Sequence, residues 1–210
     1  MEMFGDLRNN NKGYEMQQLS NMLLIERGGS PRPISKYITK SNQGVNWIKI
    51  GDAEEGSIYI NHTADKIRSE GTTKSRYVRP GDFLLSNSMS FGKPYILNID
   101  GYIHDGWLVL RDENNVFDKM FLYALLSSDY VFSAFESMAS GSVVKNLNKE
   151  LVGKLMVPVV PIEIQKQYSK FLQHLDKLKF AIKETFKKIL KLKNIYKEYL
   201  CKTILKNKLR

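Results

Sequence analysis

The chain has 210 residues, 42% hydrophobic and 11% aromatic, with 32 basic and 22 acidic side chains for a net charge of +10. This composition excludes a disordered protein, and one cysteine, Cys201, excludes an internal disulfide framework and suits a reducing cytoplasm. No basic region followed by an apolar run opens the chain and no apolar stretch is long enough to span a bilayer, so the sequence predicts a cytoplasmic protein, neither secreted nor membrane-bound.

Residues 1–160 predict a mixed α/β domain of many short elements. Candidate strands in chain order are Trp47–Ile50, Ile58–Ile60, Phe83–Ser86, Tyr95–Ile99 and Trp107–Leu110. The turn signals Gly51-Asp52, Pro80-Gly81-Asp82 and His104-Asp105-Gly106 separate them. A helical pair follows in FDKMFLYALLSSDYVFSAFESMASG, with Met120, Ala124 and Leu125 on one face of the first helix and Val131, Phe135 and Met138 on one face of the second; Gly141 suits its end.

Residues 161–210 predict a single long helix, which makes the fold class α+β. Ile162 to Arg210 contains neither glycine nor proline. At 1.5 Å per residue that stretch spans roughly 70 Å, too long to fold away inside its own core. Stepping by alternating threes and fours gives Ile164, Tyr168, Phe171, Leu175, Leu178, Ile182, Thr185, Ile189, Leu192, Tyr196 and Tyr199, apolar or aromatic at every position but Thr185. That is a coiled-coil seam, and the helix requires another helix beside it. Leu172, Phe186, Leu200, Ala181 and Ile195 widen the stripe beyond a simple two-stranded seam, so a third surface is expected to cover part of it. Parallel and antiparallel pairing both remain open.

The charge is placed unevenly. From Ile164 to Arg210 there are 14 basic and three acidic residues, whereas the rest of the chain carries 18 basic and 19 acidic. The tail is therefore either a solvated lysine face or a surface for nucleic acid or an acidic partner.

Catalytic constellations are lacking in the sequence. His62, His104 and His174 are scattered, so no zinc-ligand spacing exists and no metal site is expected. Gly28-Gly29-Ser30-Pro31 runs into further proline instead of a helix and reads as a turn, not a nucleotide loop. The serines of SNSMSFG lack a strand-to-helix nucleophile elbow and a histidine partner. An adenine methyltransferase would need a glycine-rich S-adenosylmethionine loop and an Asn/Asp-Pro-Pro-aromatic segment, and a nuclease would need acids clustered with a lysine; the sequence offers none of these.

What remains is a set of basic and polar loop residues of the types that hold phosphates and read base edges. Among them are Arg32, Lys36, Lys74, Arg76, Ser86, Asn87, Lys93, Lys145 and Asn146. A competing expectation is a non-enzymatic coiled-coil interaction or scaffold protein without sequence-specific DNA binding.

Several segments, in order, resemble the specificity subunit (HsdS) of type I restriction-modification systems. MFGDLRNN, GGSPRP and VNWIKIGDAEEGSIYI resemble the entry of that family's target recognition domain. RPGDFLLSNSMSFGKPYIL resembles its Gly-Asp-apolar-apolar-Ser segment, and SGSVVKNLNKELVGKLMVPVVPIEIQKQ its junction, where a last strand and a proline pair lead into the spacer helix. At the helix entry Ile164-Gln165 departs from the acidic residue that often precedes the glutamine.

The resemblance implies one target recognition domain and one spacer helix where a full subunit has two of each, hence a half-subunit. It further implies double-stranded DNA as ligand, with Arg32, Lys36, Lys74, Arg76, Ser86, Asn87, Lys93, Lys145 and Asn146 as the candidate DNA contacts, and a homodimer with antiparallel spacer helices. Methyltransferase (HsdM) subunits would dock on it, and a restriction and translocase (HsdR) subunit would join through the complex. S-adenosylmethionine, ATP and Mg would belong to those partners, with no cofactor and no catalysis in this chain.

Overall fold

Short apolar runs broken by glycine, proline and aspartate fold into twelve strands and four α-helices among the described residues. The computed structural model describes residues 9–87, 91–140 and 146–208. The strands are β1 (Met16–Gln18), β2 (Leu24–Arg27), β3 (Ile38–Thr39), β4 (Val45–Ile48), β5 (Tyr59–Ile60), β6 (Asp65–Ile67), β7 (Arg76–Val78), β8 (Phe83–Ser86), β9 (Pro94–Leu97), β10 (Gly101–Ile103), β11 (Trp107–Arg111) and β12 (Met156–Pro158). The helices are α1 (Lys119–Leu126), α2 (Asp129–Ala139), α3 (Lys149–Gly153) and α4 (Ile162–Lys208).

Two five-stranded sheets form the body. One runs β3-β6-β4-β10-β7 and the other β2-β11-β8-β9-β5, each mostly antiparallel with one parallel pair, β4 with β10 and β5 with β9. Ile48, Val78 and Ile103 of the first sheet meet Ile60, Leu84, Tyr95, Leu97, Trp107 and Val109 of the second in one buried cluster. The sheets thus share a core, and the inner strands β11, β8 and β9 of the second sheet are buried on both faces, with helices covering the side away from that core. Phe121, Leu122, Leu125 and Leu126 of α1 and Val131, Phe135 and Ala139 of α2 are the buried positions of that cover.

That face differs from the sequence expectation. Met120 and Ala124 are only half-buried, because the Asp118 carboxylate accepts from the N–H groups of Met120 and Phe121 and starts α1 with Phe121 and Leu122 turned to the sheet; on α2, Met138 is half-buried and Ala139 takes the buried position. Gly141 lies outside the described residues.

Both Gly-Asp motifs are turn staples. Asp52 accepts from the N–H of Lys49 at 2.7 Å, from the N–H of Ala64 at 3.0 Å and from the Thr63 hydroxyl at 3.0 Å. The expected strand Trp47–Ile50 therefore ends at Ile48, where Ile50–Asp52 closes as a turn of 3-10 helix. Gly81 sits at φ +95°, a left-handed conformation, and sets Asp82 under Arg111.

The two-stranded sheet of β1 and β12 brings the start of the domain beside the segment that enters α4. There Gln165 is a buried clamp: its Oε1 accepts from the Asp118 N–H at 2.8 Å, and its Nε2 donates to the carbonyls of Val160 at 2.8 Å and Val116 at 3.1 Å. The chain divides into two units, one ending at Lys166 and one beginning at Gln167, so the first turn of α4 packs with the β framework.

The second unit is helical. Its apolar seam is exposed along the single chain: Phe171, Leu175, Leu178, Ile182, Ile189, Leu192 and Tyr196 are all at least 36% exposed, and Ile182 reaches 68%. Ile164 and Tyr168 are half-buried. Thr185, the polar interruption, donates its hydroxyl to its own helix at the Ala181 carbonyl, 2.8 Å away. The side chain at Tyr199 lies outside the described residues.

Candidate nucleic-acid interface

The Gly-Gly turn after β2 is where the loops converge. Gly28 donates its N–H to the Trp107 carbonyl at 2.9 Å and Gly29 to the Ile103 carbonyl at 3.1 Å. A Cβ on Gly28 would stand 2.2 Å from the His104 carbonyl oxygen, and one on Gly29 would stand 2.3 Å from that of Lys74. Only glycine permits backbone to approach this closely. The turn therefore locks the 28–33 loop against both the His104-Asp105-Gly106 turn and the end of the 69–74 helical turn.

Asp105 joins these loops. Its Oδ1 accepts from the Ser30 hydroxyl at 2.9 Å and lies 2.9 Å from His104 Nε2, and its Oδ2 accepts from Arg32 Nη2 at 3.1 Å. Its carbonyl accepts from Asn87 Nδ2 at 2.7 Å and from Arg27 Nε at 3.2 Å. The N–H of Gly106 donates to His104 Nδ1 at 2.9 Å, a role that nitrogen can fill only in the neutral ring. Burial holds the His104 pKa below its ordinary value, with Arg32 and Lys49 acting the same way and Asp105 opposing. Burial works to raise the Asp105 pKa, but the Ser30 hydroxyl, His104 and Arg32 together outweigh it and hold the carboxylate below its ordinary value.

Four of the nine expected contacts come together here. Arg32 and Lys36 lie on the loop after β2, while Lys74 and Arg76 lie at the end of the 69–74 turn and on edge strand β7; all four are exposed. The two segments are packed together where the Arg68 N–H donates to the Tyr37 carbonyl at 2.8 Å, and where Gly71 lies under the Tyr37 ring. Arg76 also pairs with Glu26 at 3.4 Å. Arg68, exposed on the same segment, joins the group.

Ser86 and Asn87 depart from the expectation. They are 0% and 1% exposed. The Ser86 hydroxyl accepts from the Lys93 N–H at 3.0 Å, and Asn87 spends its amide on the Asp105 carbonyl while its own carbonyl accepts from the Leu147 N–H. Their polar groups are used to tie the β8–β9 hairpin to the neighbouring loops, so they scaffold that surface instead of facing a ligand. Their position just after an apolar strand suggested a loop; the strand's buried end could not be foreseen.

Lys93 is exposed, with its ammonium 5.4 Å from the centre of the Tyr95 ring. It lines a cavity of about 450 Å³ with Phe91, Tyr123 and Phe132. Asn146 is half-buried and adjoins Leu147, which links it to Asn87. Lys145, with Ser88, Ser90 and Ser142, lies outside the described residues. In the sequence Arg27 is one of the basic loop residues at the first turn, and Ser30 and His104-Asp105-Gly106 are legible only as turns; no local signal marks Asp105 as the residue that fixes the 28–33 loop.

Among the described residues no group of three or more His, Cys, Asp or Glu side chains could hold a metal ion. No described helix is long and apolar enough to cross a membrane.

Comparison with known proteins places this geometry. The model of the type I restriction modification DNA specificity domain matches residues 11–194. A putative type I restriction enzyme MjaX specificity subunit from Methanocaldococcus jannaschii is 29% identical over 168 residues, which is 79% of this chain and 37% of that protein. The HsdS subunit of Thermoanaerobacter tengcongensis superposes with a TM-score of 0.62 at 20% identity, over 82% of this chain and 40% of that one. A chain from a type I R-M system, solved to explain complex assembly and conformational transition, gives 0.64 at 21% identity with the same coverage. The two structural likenesses concern the fold: an α+β framework followed by a long helix. The chain spans about two fifths of the length of these relatives.

Proposed function

The chain belongs to the type I restriction modification DNA specificity domain family, and from that membership we propose that it reads one half of a split DNA target. The observation that carries this reading is the extent of the match, which runs from the start of the described framework well into α4 and so takes in reader and spacer together. The 28–33 loop fixed by Asp105, and the 69–76 segment packed against Gly29 and Tyr37, present Arg32, Lys36, Lys74 and Arg76 to duplex DNA, with phosphate contacts setting register and a few side chains setting sequence.

The exposed seam of α4 supports a homodimer. Ten residues of at least a third exposure, from Phe171 to Tyr196, are large and apolar, more than an isolated helix leaves in water. Two copies with antiparallel spacers would read the same half-site twice, inverted and a fixed gap apart. Methyltransferase subunits dock on the dimer and a translocase subunit joins through them; S-adenosylmethionine, ATP and Mg stay with those partners. The chain itself performs no chemistry, and it works in the cytoplasm beside its DNA.

The test is methylation mapping of a host genome with and without the chain, alongside a matching methyltransferase subunit. A modified, interrupted inverted repeat that depends on the chain is expected. An asymmetric split site would replace the homodimer with pairing to a different half. Unchanged methylation, together with no DNA footprint, would favour the scaffold reading, which the acid pairing of Arg32 and Arg76 in the free chain also suits.

A further inference from the structure

Asp105 is an acid placed among the very cations offered to DNA. Its side chain is 32% exposed and that of Arg32 is 74% exposed, so as a surface ion pair the contact adds little stability. An anion here also repels phosphate. A carboxylate that weakens DNA attraction and contributes little to folding has its use in geometry.

Every polar atom of the residue is committed. The carboxylate holds Ser30 and Arg32 of one loop and His104 of its own turn, while the carbonyl holds Asn87 at the end of β8 and Arg27 at the end of β2. The contact with Arg32 uses Nη2, and a guanidinium carries five N–H donors in a fixed fork. The remaining donors are thereby oriented without being used up. Gly28 and Gly29 allow no slack on the backbone side of the same loop.

We infer that Asp105 is a positioning residue for sequence discrimination: it fixes the direction of Arg32 and the frame of the 28–33 loop, lowering general DNA attraction in exchange for selectivity. This rests on the DNA-reading function proposed above. It predicts opposite signs for two quantities, which neither a folding role nor a plain charge effect does.

The experiment uses the full chain. The wild type first selects a site from a random duplex library; affinities are then measured for a duplex carrying that site and for a shuffled duplex of equal length. Asp105→Asn is expected to bind the shuffled duplex as tightly as wild type or more tightly, while the ratio of site to shuffled affinity falls roughly tenfold. In an Arg32→Ala background the same change is expected to lower the ratio no further, since the two residues act through one contact. An unchanged ratio overturns the inference, and so does an equal loss of both affinities with a lowered melting temperature. Should Asp105→Asn not fold, Ser30→Ala keeps the carboxylate but removes one of its anchors; a ratio equal to wild type then overturns it. A wild type that enriches no site defeats the functional reading itself, a result distinct from these.

Discussion

Arg111 grips Asp82 with two parallel bonds, Nε to Oδ1 at 2.8 Å and Nη2 to Oδ2 at 2.6 Å, and the carboxylate is 3% exposed. The same carboxylate accepts from the Arg79 N–H at 3.0 Å, so it closes the Pro80-Gly81 turn and pins the end of β11 at once. The hydrogen bond to Asp82 holds the guanidinium pKa above its ordinary value. Removing one partner would strand the other. Arg111→Ala is expected to destabilise the fold by about 3–5 kcal/mol, read as a lower denaturation midpoint with an unchanged slope. Loss of less than ~1 kcal/mol would show that water reaches Asp82 and takes over the role.

Gly28→Ala tests the backbone lock. The added Cβ would meet the His104 carbonyl, and backbone cannot rotate aside as a side chain can. The expected loss is about 1–3 kcal/mol or more, measured by thermal melting. Gly51→Ala is the control, because nothing lies within 4 Å of its Cβ position.

Acid should loosen the same loop in two stages. His104 faces Asp105, Arg32 and Lys49, with its ring edge against Trp47. Its folded pKa lies below 6.5, so the unfolded chain binds the proton more tightly, and stability present above pH 6.5 is lost as pH falls through the window beneath it. Asp105 is likewise held below 3.8, and its contribution disappears only as pH falls through that value and on toward its folded pKa. Stability measured against pH should show both descents. His104→Asn, whose Oδ1 can replace Nδ1 as acceptor for Gly106, should flatten the first and leave the second.

Lys74 and Arg76 separate phosphate contact from base contact. Lys74→Ala is expected to lower the salt slope of DNA binding by about one while weakening all sequences alike. Arg76→Ala should do the same if it holds phosphate. A base contact would instead cost roughly 1–3 kcal/mol on the target alone. Unchanged affinity and slope for both would return them to the ordinary surface.

What the sequence made legible follows from which signals are local. Phe83–Ser86 is a strand in both readings because a run of apolar residues between Pro-Gly-Asp and Ser-Asn has no other local solution. The long helix was legible because heptads repeat and breakers are absent. Strands β1, β2, β3, β6, β7 and β10 were not, since each has four residues or fewer and exists only by pairing with distant chain. Arg32, Lys36, Lys74, Arg76 and Lys93 are exposed, as their charge alone foretells, whereas Ser86 and Asn87 are buried, because burial at a strand's end is a tertiary property. Asp105 was hidden for the same reason, as its partners lie 18 to 78 residues away at Asn87, Arg32, Ser30 and Arg27.

The seam of α4 carries the last prediction. Leu175 and Ile182 stand seven residues apart on the exposed stripe, 36% and 68% exposed, and no described bond depends on either. Changing both to aspartate puts two charges where a partner helix must bury side chains, at a penalty of several kcal/mol for each unpaired charge. The double variant should therefore sediment as a monomer where the wild type sediments as a dimer. The β framework should melt as before, because its core of Ile48, Leu84, Trp107 and their neighbours lies wholly in the first unit. A variant that remains dimeric would place the contact elsewhere and leave the apolar stripe for a different protein. A wild type that is already monomeric would mean that the stripe is covered only inside a larger complex, and the inverted-repeat target would then lose its basis.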